Sequence, residues 1–298
     1  MKSPKKRVLI IGASGFLGYG LYRYFPQNLS EKYLVTGTYC SSRSSDNLEK
    51  LDITSFKDLE EYVTRSLPDF IILAAGNKNV QECEKNYSRA YALNSQPVES
   101  LITIITQHKL ATRLIYFSTD YVFDGKTGQY KDTDIPAPST NYGKTKFLAE
   151  QALLTSGIDF KIIRTAAIMG KGGIFFDWLI RKLTSEKRVS MYDNVFFSPT
   201  PLTFLAEMVA ATLENFDNIP QQILHIVGEK RVNRYQFALL VNSVLKSDVT
   251  ICAENNSDIC ALFQHDLSMV PSDIINTWRK RNFEDYLSDE IQHAAFCN

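Results

Sequence analysis

The sequence predicts an α/β fold in which helices cover both faces of a doubly wound parallel sheet. Short, nearly continuous apolar runs alternate with amphipathic stretches through the first half of the 298-residue chain. Continuous apolar runs are typical of strands buried on both faces, and regular strand–helix alternation is typical of parallel sheets. After about Gly170 the alternation becomes less regular, which predicts a smaller C-terminal α/β lobe.

The first elements can be justified one at a time from their residues. RVLIIGAS and YLVTGTYC are apolar enough for buried strands, and FLGYGLYRYFP between them predicts a helix that ends at Pro26. SFKDLEEYVTRSL predicts a helix, because a serine can cap its start and Pro68 follows its end. DFIILAAG and TRLIYFST are the next strands, and one long helix, SRAYALNSQPVESLITIITQHK, is predicted between them.

The remaining elements complete two predicted lobes. STNYGKTKFLAEQALLTSG predicts a long helix that ends at Gly157, and DFKIIRTAAIMG predicts another strand. Later, three amphipathic stretches predict helices and QILHIVG predicts a strand, whereas the part from Lys230 is otherwise irregular. We expect a first domain over residues 1–166, with a return of the chain at about 195–228, and a second lobe mainly over residues 167–298.

Composition and charge exclude several classes of protein. The chain is 44% hydrophobic and 22% charged, which is ordinary for a globular protein. Basic and acidic residues number 33 each, so the net charge gives no argument for a nucleic-acid or membrane partner. The apolar runs are too short to span a bilayer. Five scattered cysteines without a CxxC pair indicate neither disulfides nor a metal site, and favour a reducing, cytoplasmic setting.

A glycine-rich turn follows the first predicted strand. IIGASGFLGYG has the spacing GxxGxxG between a strand and a helix. Glycine allows a ligand to approach the backbone closely, and a helix N-terminus attracts a pyrophosphate. An ordinary tight turn is the alternative, but this position favours a Rossmann-type, dinucleotide-binding domain. The candidate cofactor-binding residues of this turn are Gly12, Ser14, Gly15, Phe16 and Leu17.

The end of the second predicted strand bears on the choice of cofactor. An acidic residue at this place would bind the ribose of NADH, but the chain has Ser41, Ser42 and Arg43. Hydroxyls and a guanidinium suit the 2′-phosphate of NADPH. We therefore expect NADPH, with NADH also allowed, although a solvated loop would have a similar composition.

Other candidate cofactor-binding residues follow later strands. In KLDITS, Asp52 and Ile53 could hold an adenine ring, or could equally be a helix cap and a core residue. Ala74, Ala75 and Gly76 end the strand DFIILAAG, at the edge of the sheet where ligands bind in such folds.

The motif NYGKTK carries the chemistry that we expect. Tyr142 and Lys146 lie four residues apart, and on a helix this spacing places both on one face. Free tyrosine has a pKa near ~10, and a neighbouring ammonium would lower it, which would make Tyr142 a proton donor tuned by Lys146. Ser118 and Thr119 end a strand nearby in the fold, and Thr119 could orient a carbonyl group. An ordinary solvated helix face is the alternative.

These residues together resemble a known family. GASGFLG, STDYVFDG, DIPAPSTNYGKTKFLAE and IIRTA are similar to motifs of extended short-chain dehydrogenases/reductases, and more narrowly of dTDP-4-dehydrorhamnose reductases. The resemblance implies hydride transfer from NADPH or NADH to the C4 keto group of a nucleotide-linked 4-keto-6-deoxysugar. It also implies that Tyr142 donates the proton and Lys146 binds the ribose. Asn94 would then be an active-site residue, and Thr119, Asp120 and Tyr121 would contact the sugar.

Two other functions stay open on the sequence alone. The regulatory β subunit of methionine adenosyltransferase carries similar motifs, so the chain could bind NADP and regulate a partner without turnover. A sugar-nucleotide epimerase has the same fold, but would show no net consumption of cofactor. A homodimer is compatible with any of these functions.

Some conspicuous residues are interpreted as structural. His225 lies in an apolar strand and is expected to be a core histidine. Trp178 could reach a nucleotide base, but core packing is the simpler interpretation. The mixed run WRKRNFEDYLSDE is expected to form a solvated helix.

Overall fold

A computed structural model describes residues 4–42, 47–255 and 264–296 of the chain. Within these ranges the chain forms two compact units. The first unit comprises residues 1–122, 138–163 and 212–224, and the second comprises 123–137, 164–211 and 225–298. Compared with the predicted boundary near residue 166, the segment 123–137 belongs to the second unit although it lies early in the chain.

Strands and helices alternate through most of the described chain. The strands are β1 Lys6–Ile11, β2 Tyr33–Tyr39, β3 Leu48–Lys50, β4 Phe70–Leu73, β5 Arg113–Thr119, β6 Phe160–Thr165, β7 Ile168–Met169, β8 Arg188–Tyr192, β9 Phe196–Phe197, β10 Thr200–Pro201, β11 Ile223–His225, β12 Val232–Asn233 and β13 Thr250–Glu254. The helices are α1 Phe16–Leu29, α2 Phe56–Ser66, α3 Val80–Lys85, α4 Tyr87–Asn94, α5 Gln96–Gln107, α6 Asn141–Leu154, α7 Ile174–Ser185, α8 Leu202–Glu214, α9 Arg234–Leu245, α10 Asp273–Trp278 and α11 Phe283–Phe296.

A seven-stranded sheet organises the first unit. Its strand order is β11-β6-β5-β4-β1-β2-β3, and the pairs β5–β4, β4–β1, β1–β2 and β2–β3 are parallel. The chain runs outward from β1 in one direction and then returns to start β4 on its other side, which is the doubly wound order. The predicted fold class is therefore confirmed.

The strands are apolar because both faces of the sheet are covered. Every residue of β4 is buried, and Val8 to Ile11 of β1 have no exposed surface. Side chains of α2, α5 and α6 join these strands in one core, for example Leu59, Leu101 and Leu153. This burial keeps the carboxyl ends of β1, β4 and β5 at one edge of the sheet, where the candidate site lies.

Two helix boundaries differ from the prediction. Helix α1 continues through Pro26 to Leu29, although proline removes a hydrogen bond from a helix interior. Phe25 and Leu29 are both buried one turn apart, and this packing outweighs the lost bond. The predicted long helix after β4 is instead divided at Ser95, because Pro97 in the first turn of α5 cannot continue the hydrogen bonds of α4.

The second unit contains short strand pairs and a helical core. The pairs are β7–β10, β8–β13 and β9–β12, and helices α7, α9 and α11 share one apolar core. The prediction of a solvated C-terminal helix was wrong. Tyr286, Leu287 and Ile291 of α11 are almost fully buried, and so is Glu290, whose carboxylate accepts hydrogen bonds from Thr203. The helix predicted over NRYQFALLVNSVLKS is present as α9, whereas the irregularity expected elsewhere beyond Lys230 was wrong where the described chain forms β13 and α10.

Candidate active site

The glycine turn is held by close backbone contacts. Gly12 has φ +88°, and its N–H donates to Thr38 Oγ1 at 3.3 Å while its carbonyl accepts from Gly15 N at 3.0 Å. A Cβ on Gly18 would lie 2.1 Å from Gly12 O. Glycine is therefore required at both positions for the turn to fold against the start of α1.

The turn has the features that a dinucleotide needs. Gly15 caps α1 without a side-chain hydrogen bond, and the first helical turn has no acidic residue. A Cβ on Gly15 would meet only Gly12 O, at 3.4 Å, so Gly15 leaves its surroundings open for a ligand. Among the described residues, the buried hydroxyl of Ser118 at the end of β5 has no hydrogen-bond partner. An open, positively polarised helix N-terminus and a spare hydroxyl fit a pyrophosphate-containing cofactor.

The residues after β4 lie against the glycine turn. A Cβ on Gly12 would be only 2.7 Å from the backbone nitrogen of Ala75, and Ala74 N donates to Ile11 O at 3.0 Å. Gly76 has φ +155°, and a Cβ there would lie 2.9 Å from Asn94 Oδ1. The structure thus brings the predicted residues of β1 and β4 together.

Asn94 links this segment to the helix that carries Tyr142. Its Oδ1 accepts from Asn77 N at 2.8 Å, and its Nδ2 donates to Asn77 O at 3.1 Å and to Thr145 Oγ1 at 3.2 Å. Ser95, the next residue, donates to Thr145 O at 2.7 Å. Asn94 is almost fully buried, so its role in the described structure is to fix the loop after β4 relative to α6.

The residues predicted for the adenine end of the cofactor are not shown to form one cluster. Asp52 Oδ1 accepts from Thr54 N and Thr54 Oγ1, at 2.9 and 2.7 Å, and these bonds lower the pKa of Asp52. Ile53 is buried in the core of the first unit. Ser42 is exposed, and Arg43 lies outside the described residues. Ile53 therefore has the core role that was considered for it, whereas Ser55 and not Asp52 caps α2. Contact of either residue with adenine stays a prediction.

Helix α6 begins in a way that positions Tyr142. Thr140 caps the helix by accepting from Gly143 N at 3.0 Å, so Tyr142 lies in the first turn. A Cβ on Gly143 would be 2.0 Å from Tyr121 O, which means that only glycine lets the segment after β5 pack on α6. The positive end of the helix dipole favours a negative charge on a side chain in this turn.

Tyr142, Thr119, Asp120 and Tyr121 form one cluster. The side chain of Thr119 is a polar neighbour of the Tyr142 hydroxyl and lowers its pKa by hydrogen bonding. Thr119 Oγ1 donates to Asp120 Oδ1 at 2.8 Å and accepts from Tyr121 N at 3.3 Å. The ring of Tyr121 meets the ring of Tyr142 edge to face, with centroids 5.5 Å apart. All three predicted substrate residues therefore adjoin the predicted proton donor.

The expectation that Lys146 lowers the pKa of Tyr142 was wrong in this structure. Burial raises the pKa of Tyr142 above that of free tyrosine, and the bond with Thr119 offsets only part of the shift. Lys146 is itself buried, and burial lowers its pKa to about 7. Burial is the largest cause of the shift at Tyr142, so the expected lowering by Lys146 does not dominate.

The sequence interpretation missed one residue of this site. Tyr116 lies on β5 beneath Lys146, and the Lys146 Nζ atom is 4.2 Å from the centroid of its ring. An aromatic residue in an apolar strand usually indicates core packing. Only the contact between β5 and α6 in three dimensions identifies Tyr116 as part of the site.

A separate pocket of about 640 Å³ lies within the second unit. Phe175 and Trp178 of α7 stack there with centroids 6.0 Å apart and an interplanar angle of 24°. The guanidinium of Arg234 lies 4.1 Å from the centroid of Phe175. Aromatic faces, guanidinium groups and a carboxylate line this pocket, which is formed by Ile174, Phe175, Trp178, Arg181, Ser190, Met191, Tyr192, Arg234 and Glu254. Trp178 is therefore a pocket residue and not only a core residue, contrary to the simpler interpretation.

Two kinds of site are not found among the residues that the structure describes. No group of three or more His, Cys, Asp or Glu side chains could hold a metal ion there. Over the same residues, no helix has the length and hydropathy to cross a membrane.

Comparison with curated proteins identifies relatives of two kinds. A dTDP-4-dehydrorhamnose reductase of Aggregatibacter actinomycetemcomitans is 28% identical over 291 residues, which cover 90% of this chain and 95% of that protein. Methionine adenosyltransferase 2 subunit beta of Bos taurus is 29% identical over 254 residues, which cover 80% of this chain and 72% of that protein. Both kinds match over most of the chain, so they support a common fold.

A solved structure and a family model agree with this result. The crystal structure of dTDP-4-dehydrorhamnose reductase from Bacillus anthracis str. Ames in complex with NADP has a TM-score of 0.83 and 23% identity. The alignment covers 96% of this chain and 99% of that one, and at this identity it supports the fold alone. The model of the RmlD substrate binding domain matches residues 6–264. The chain therefore belongs to the RmlD substrate-binding-domain family.

Proposed function

We propose that this protein is an NAD(P)H-dependent reductase of the C4 keto group of a nucleotide-linked 4-keto-6-deoxysugar. The observation that carries the proposal is the packing of Tyr142 against Tyr121 in the segment that follows Thr119, on a helix whose next turn carries the buried Lys146. This arrangement supplies a proton donor, a carbonyl-orienting hydroxyl and a cation at one place. The reductase relatives, named for dTDP-4-dehydrorhamnose, suggest the class of substrate.

The residues of the cluster have distinct roles in this reaction. NADPH, when bound at the glycine turn, supplies the hydride. When the sugar binds, the Thr119 hydroxyl turns from Asp120 to donate its hydrogen bond to the keto oxygen and orients it. Tyr142 gives its hydroxyl proton to the same oxygen as it gains negative charge. The C4 carbonyl thereby becomes a secondary alcohol, and Tyr142 recovers its proton from solvent. Asp120 and Tyr121 border the sugar, and Lys146 binds the ribose of the cofactor.

The raised pKa of Tyr142 suits the direction of reduction. A phenol that holds its proton in the resting site is ready to donate when an alkoxide forms next to it. Burial raises the pKa of this group, and the first turn of α6 stabilises the phenolate that remains after transfer.

The cofactor is NADPH in this proposal, with NADH as the other acceptable donor. The structure of the Bacillus anthracis relative contains NADP. In this chain the second strand is followed by Ser41, Ser42 and Arg43, which suit a 2′-phosphate. Replacing Arg43 by alanine is expected to shift preference from NADPH toward NADH, and an unchanged ratio would remove this argument.

The pocket within the second unit has side chains that suit a free nucleotide, which we propose as its ligand. Its stacked Phe175 and Trp178 offer faces for a base, and Arg181 and Arg234 offer positive charge for a diphosphate. A volume of about 640 Å³ is sufficient for a small ligand of this kind.

A regulatory role is the second candidate. It is favoured by the 29% identity to methionine adenosyltransferase 2 subunit beta over 80% of this chain. An epimerase is a third reading with weaker support. We also propose a cytoplasmic location. We expect a homodimer, and light scattering after size-exclusion chromatography tests this oligomeric state.

A substrate panel separates the three functions. Purified protein is mixed with NADPH and with dTDP-, UDP- or GDP-linked 4-keto-6-deoxysugars, and the nicotinamide absorbance is followed. A reductase consumes NADPH in proportion to the sugar, and Tyr142→Phe abolishes this consumption. Tight NADPH binding without consumption of any sugar would instead support the regulator, and conversion of a sugar without net NADPH consumption would support the epimerase.

A further inference from the structure

Tyr116 forms the floor on which Lys146 rests. The side chain belongs to β5 and is only 1% exposed. The Lys146 Nζ atom lies 4.2 Å from the centre of its ring, well inside the distance of about 6 Å at which an aromatic face attracts a cation. This contact joins the strand that carries Thr119 to the helix that carries Tyr142.

Lys146 is a buried cation, 7% exposed, beside this ring. The ionisable groups that face it are Glu150, one turn further along α6, and the thiol of Cys83 on α3, and both favour its charged form. The ring of Tyr116 lies directly against the Nζ atom and adds to their effect.

The hydroxyl of Tyr116 fixes the orientation of this ring. It donates to Asn94 O at 3.3 Å and to Lys146 O at 3.5 Å. One bond reaches the end of α4, and the other reaches the backbone of the lysine that the ring supports. The ring face therefore cannot turn away without breaking bonds to two helices.

We propose that Tyr116 is a positioning residue, which holds the Lys146 ammonium in its charged form at the floor of the site through the face of its ring. The inference rests on the proposed function, in which Lys146 must be charged and correctly placed to bind a ribose hydroxyl. Tyr116 touches neither substrate nor cofactor in this role and acts through Lys146. The face of the ring attracts the ammonium, and the hydrogen bonds of the hydroxyl fix the orientation of the ring.

The two parts of Tyr116 can be separated by substitution. Tyr116→Phe keeps the ring and removes the hydroxyl, whereas Tyr116→Leu removes the ring and keeps an apolar side chain. Phe117→Leu is the matched control, because Phe117 is the next residue of β5 and points to the opposite face of the sheet. Since the ring favours the charged form, its loss lowers the pKa of Lys146.

The protonation of Lys146 is measured directly by competitive acetylation. The protein is treated with acetic anhydride from about pH 4 to about pH 10, and the peptide containing Lys146 is quantified by mass spectrometry. We expect Tyr116→Leu to lower the pKa of Lys146 by about one unit, and Tyr116→Phe and Phe117→Leu to leave it close to wild type. An unchanged pKa in Tyr116→Leu, or an equal shift in Phe117→Leu, overturns the proposal.

An isosteric replacement covers the case in which Tyr116→Leu does not fold. Pentafluorophenylalanine at position 116 keeps the shape of phenylalanine but reverses the charge distribution of the ring face. It should lower the pKa of Lys146 relative to Tyr116→Phe, and no difference between the two overturns the proposal.

NADPH binding, followed by nicotinamide fluorescence across the same pH range, distinguishes failure of this inference from failure of the proposed function. NADPH affinity should fall as the pH rises and Lys146 loses its proton. In Tyr116→Leu this loss should occur at a lower pH, because the pKa of Lys146 is lower. If wild type binds no NADPH while the acetylation shift is present, the proposed function fails and the role of the ring stands. If NADPH binds but its pH dependence is the same in Tyr116→Leu, the inference fails.

Discussion

The glycine turn of the first unit and the pocket of the second are built in opposite ways. The turn consists of backbone with side chains left out, since a Cβ on Gly12 or Gly18 would overlap neighbouring main-chain atoms. The pocket consists of large side chains, including Phe175, Trp178 and Arg234, which come from separate elements. The turn requires the absence of side chains at its glycines, and the pocket requires that side chains from separate elements pack next to one another.

This difference predicts different responses to substitution. A backbone site should fail abruptly when a single atom is added, whereas a side-chain pocket should lose affinity gradually. The catalytic cluster lies with the turn in the first unit, and it should be the most sensitive part of the molecule. Substitutions in the two regions test this ranking, from the largest expected effect to the smallest.

The largest effect is expected at the proton donor. Tyr142→Phe removes the hydroxyl that donates to the keto oxygen but keeps the ring that packs against Tyr121. Loss of general acid catalysis should lower kcat by a factor of about 10² to 10⁴, with NADPH binding unchanged. Steady-state kinetics and fluorescence titration measure both quantities. Turnover near the wild-type rate would show that another group supplies the proton.

A pair of glycine substitutions separates folding from cofactor binding. Gly18→Ala places a Cβ 2.1 Å from Gly12 O and should destabilise the first unit by about 3 kcal/mol or prevent its folding. Gly15→Ala meets no atom closer than 3.4 Å and should fold normally, yet its methyl group occupies the space in front of the helix N-terminus. We expect an NADPH affinity reduced about tenfold with an unchanged melting temperature. Equal melting temperatures for both variants would contradict the backbone argument.

The pH dependence of the second unit follows from a buried histidine. His225 has no exposed surface, its Nδ1 donates to Val270 O at 3.2 Å, and burial together with the charge of Arg164 lowers its pKa to about 4. The unfolded chain therefore binds more protons between about pH 6.5 and that value. The unfolding free energy should decrease by up to about 1.4 kcal/mol per pH unit as the pH falls through this window.

Tryptophan fluorescence is a suitable probe for this titration. Both tryptophans of the chain, Trp178 and Trp278, belong to the second unit, so urea unfolding followed by their emission reports that unit. His225→Phe removes the titrating group and should flatten the slope in the acidic range. A slope that persists in this variant would assign the acid sensitivity to other groups.

The smallest effect is expected in the pocket. Trp178→Ala removes one of the two stacked rings, and loss of base stacking should weaken binding of dTDP about tenfold, with NADPH affinity unchanged. Trp278→Ala is the matched control, because Trp278 does not line the pocket. An unchanged dTDP affinity in Trp178→Ala would remove the nucleotide from this pocket. A kcat effect as large as that of Tyr142→Phe would break the proposed contrast between the two regions.

The features predicted correctly from sequence are those with local causes. The fold class follows from apolar runs such as that of β4, which are buried on both faces. The neighbouring positions of Tyr142 and Lys146 follow from the period of a helix, and that of Thr119 from its place at a strand end. The structure brings Tyr142, Thr119, Asp120 and Tyr121 together, while their catalytic roles stay predictions.

The features that were missed depend on contacts distant in sequence. Pro26 was expected to end α1, but the burial of Phe25 and Leu29 keeps the helix intact. Tyr116 is indistinguishable in sequence from an ordinary core residue, and only its contact with Lys146 gives it a role. The pocket around Trp178 needs α7, β8, α9 and β13 to assemble before it exists. No periodicity within a single element reveals such a site.

Helix α11 has a consequence for how the chain folds during synthesis. Phe283, Leu287 and Ile291 complete the apolar core of the second unit, whereas the last segment of the first unit ends at residue 224. At a translation rate of roughly 5 to 20 residues per second, the first unit can close several seconds before α11 leaves the ribosome. During that interval the apolar faces of α7 and α9 stay uncovered. They are where we would look for chaperone contact in the nascent chain.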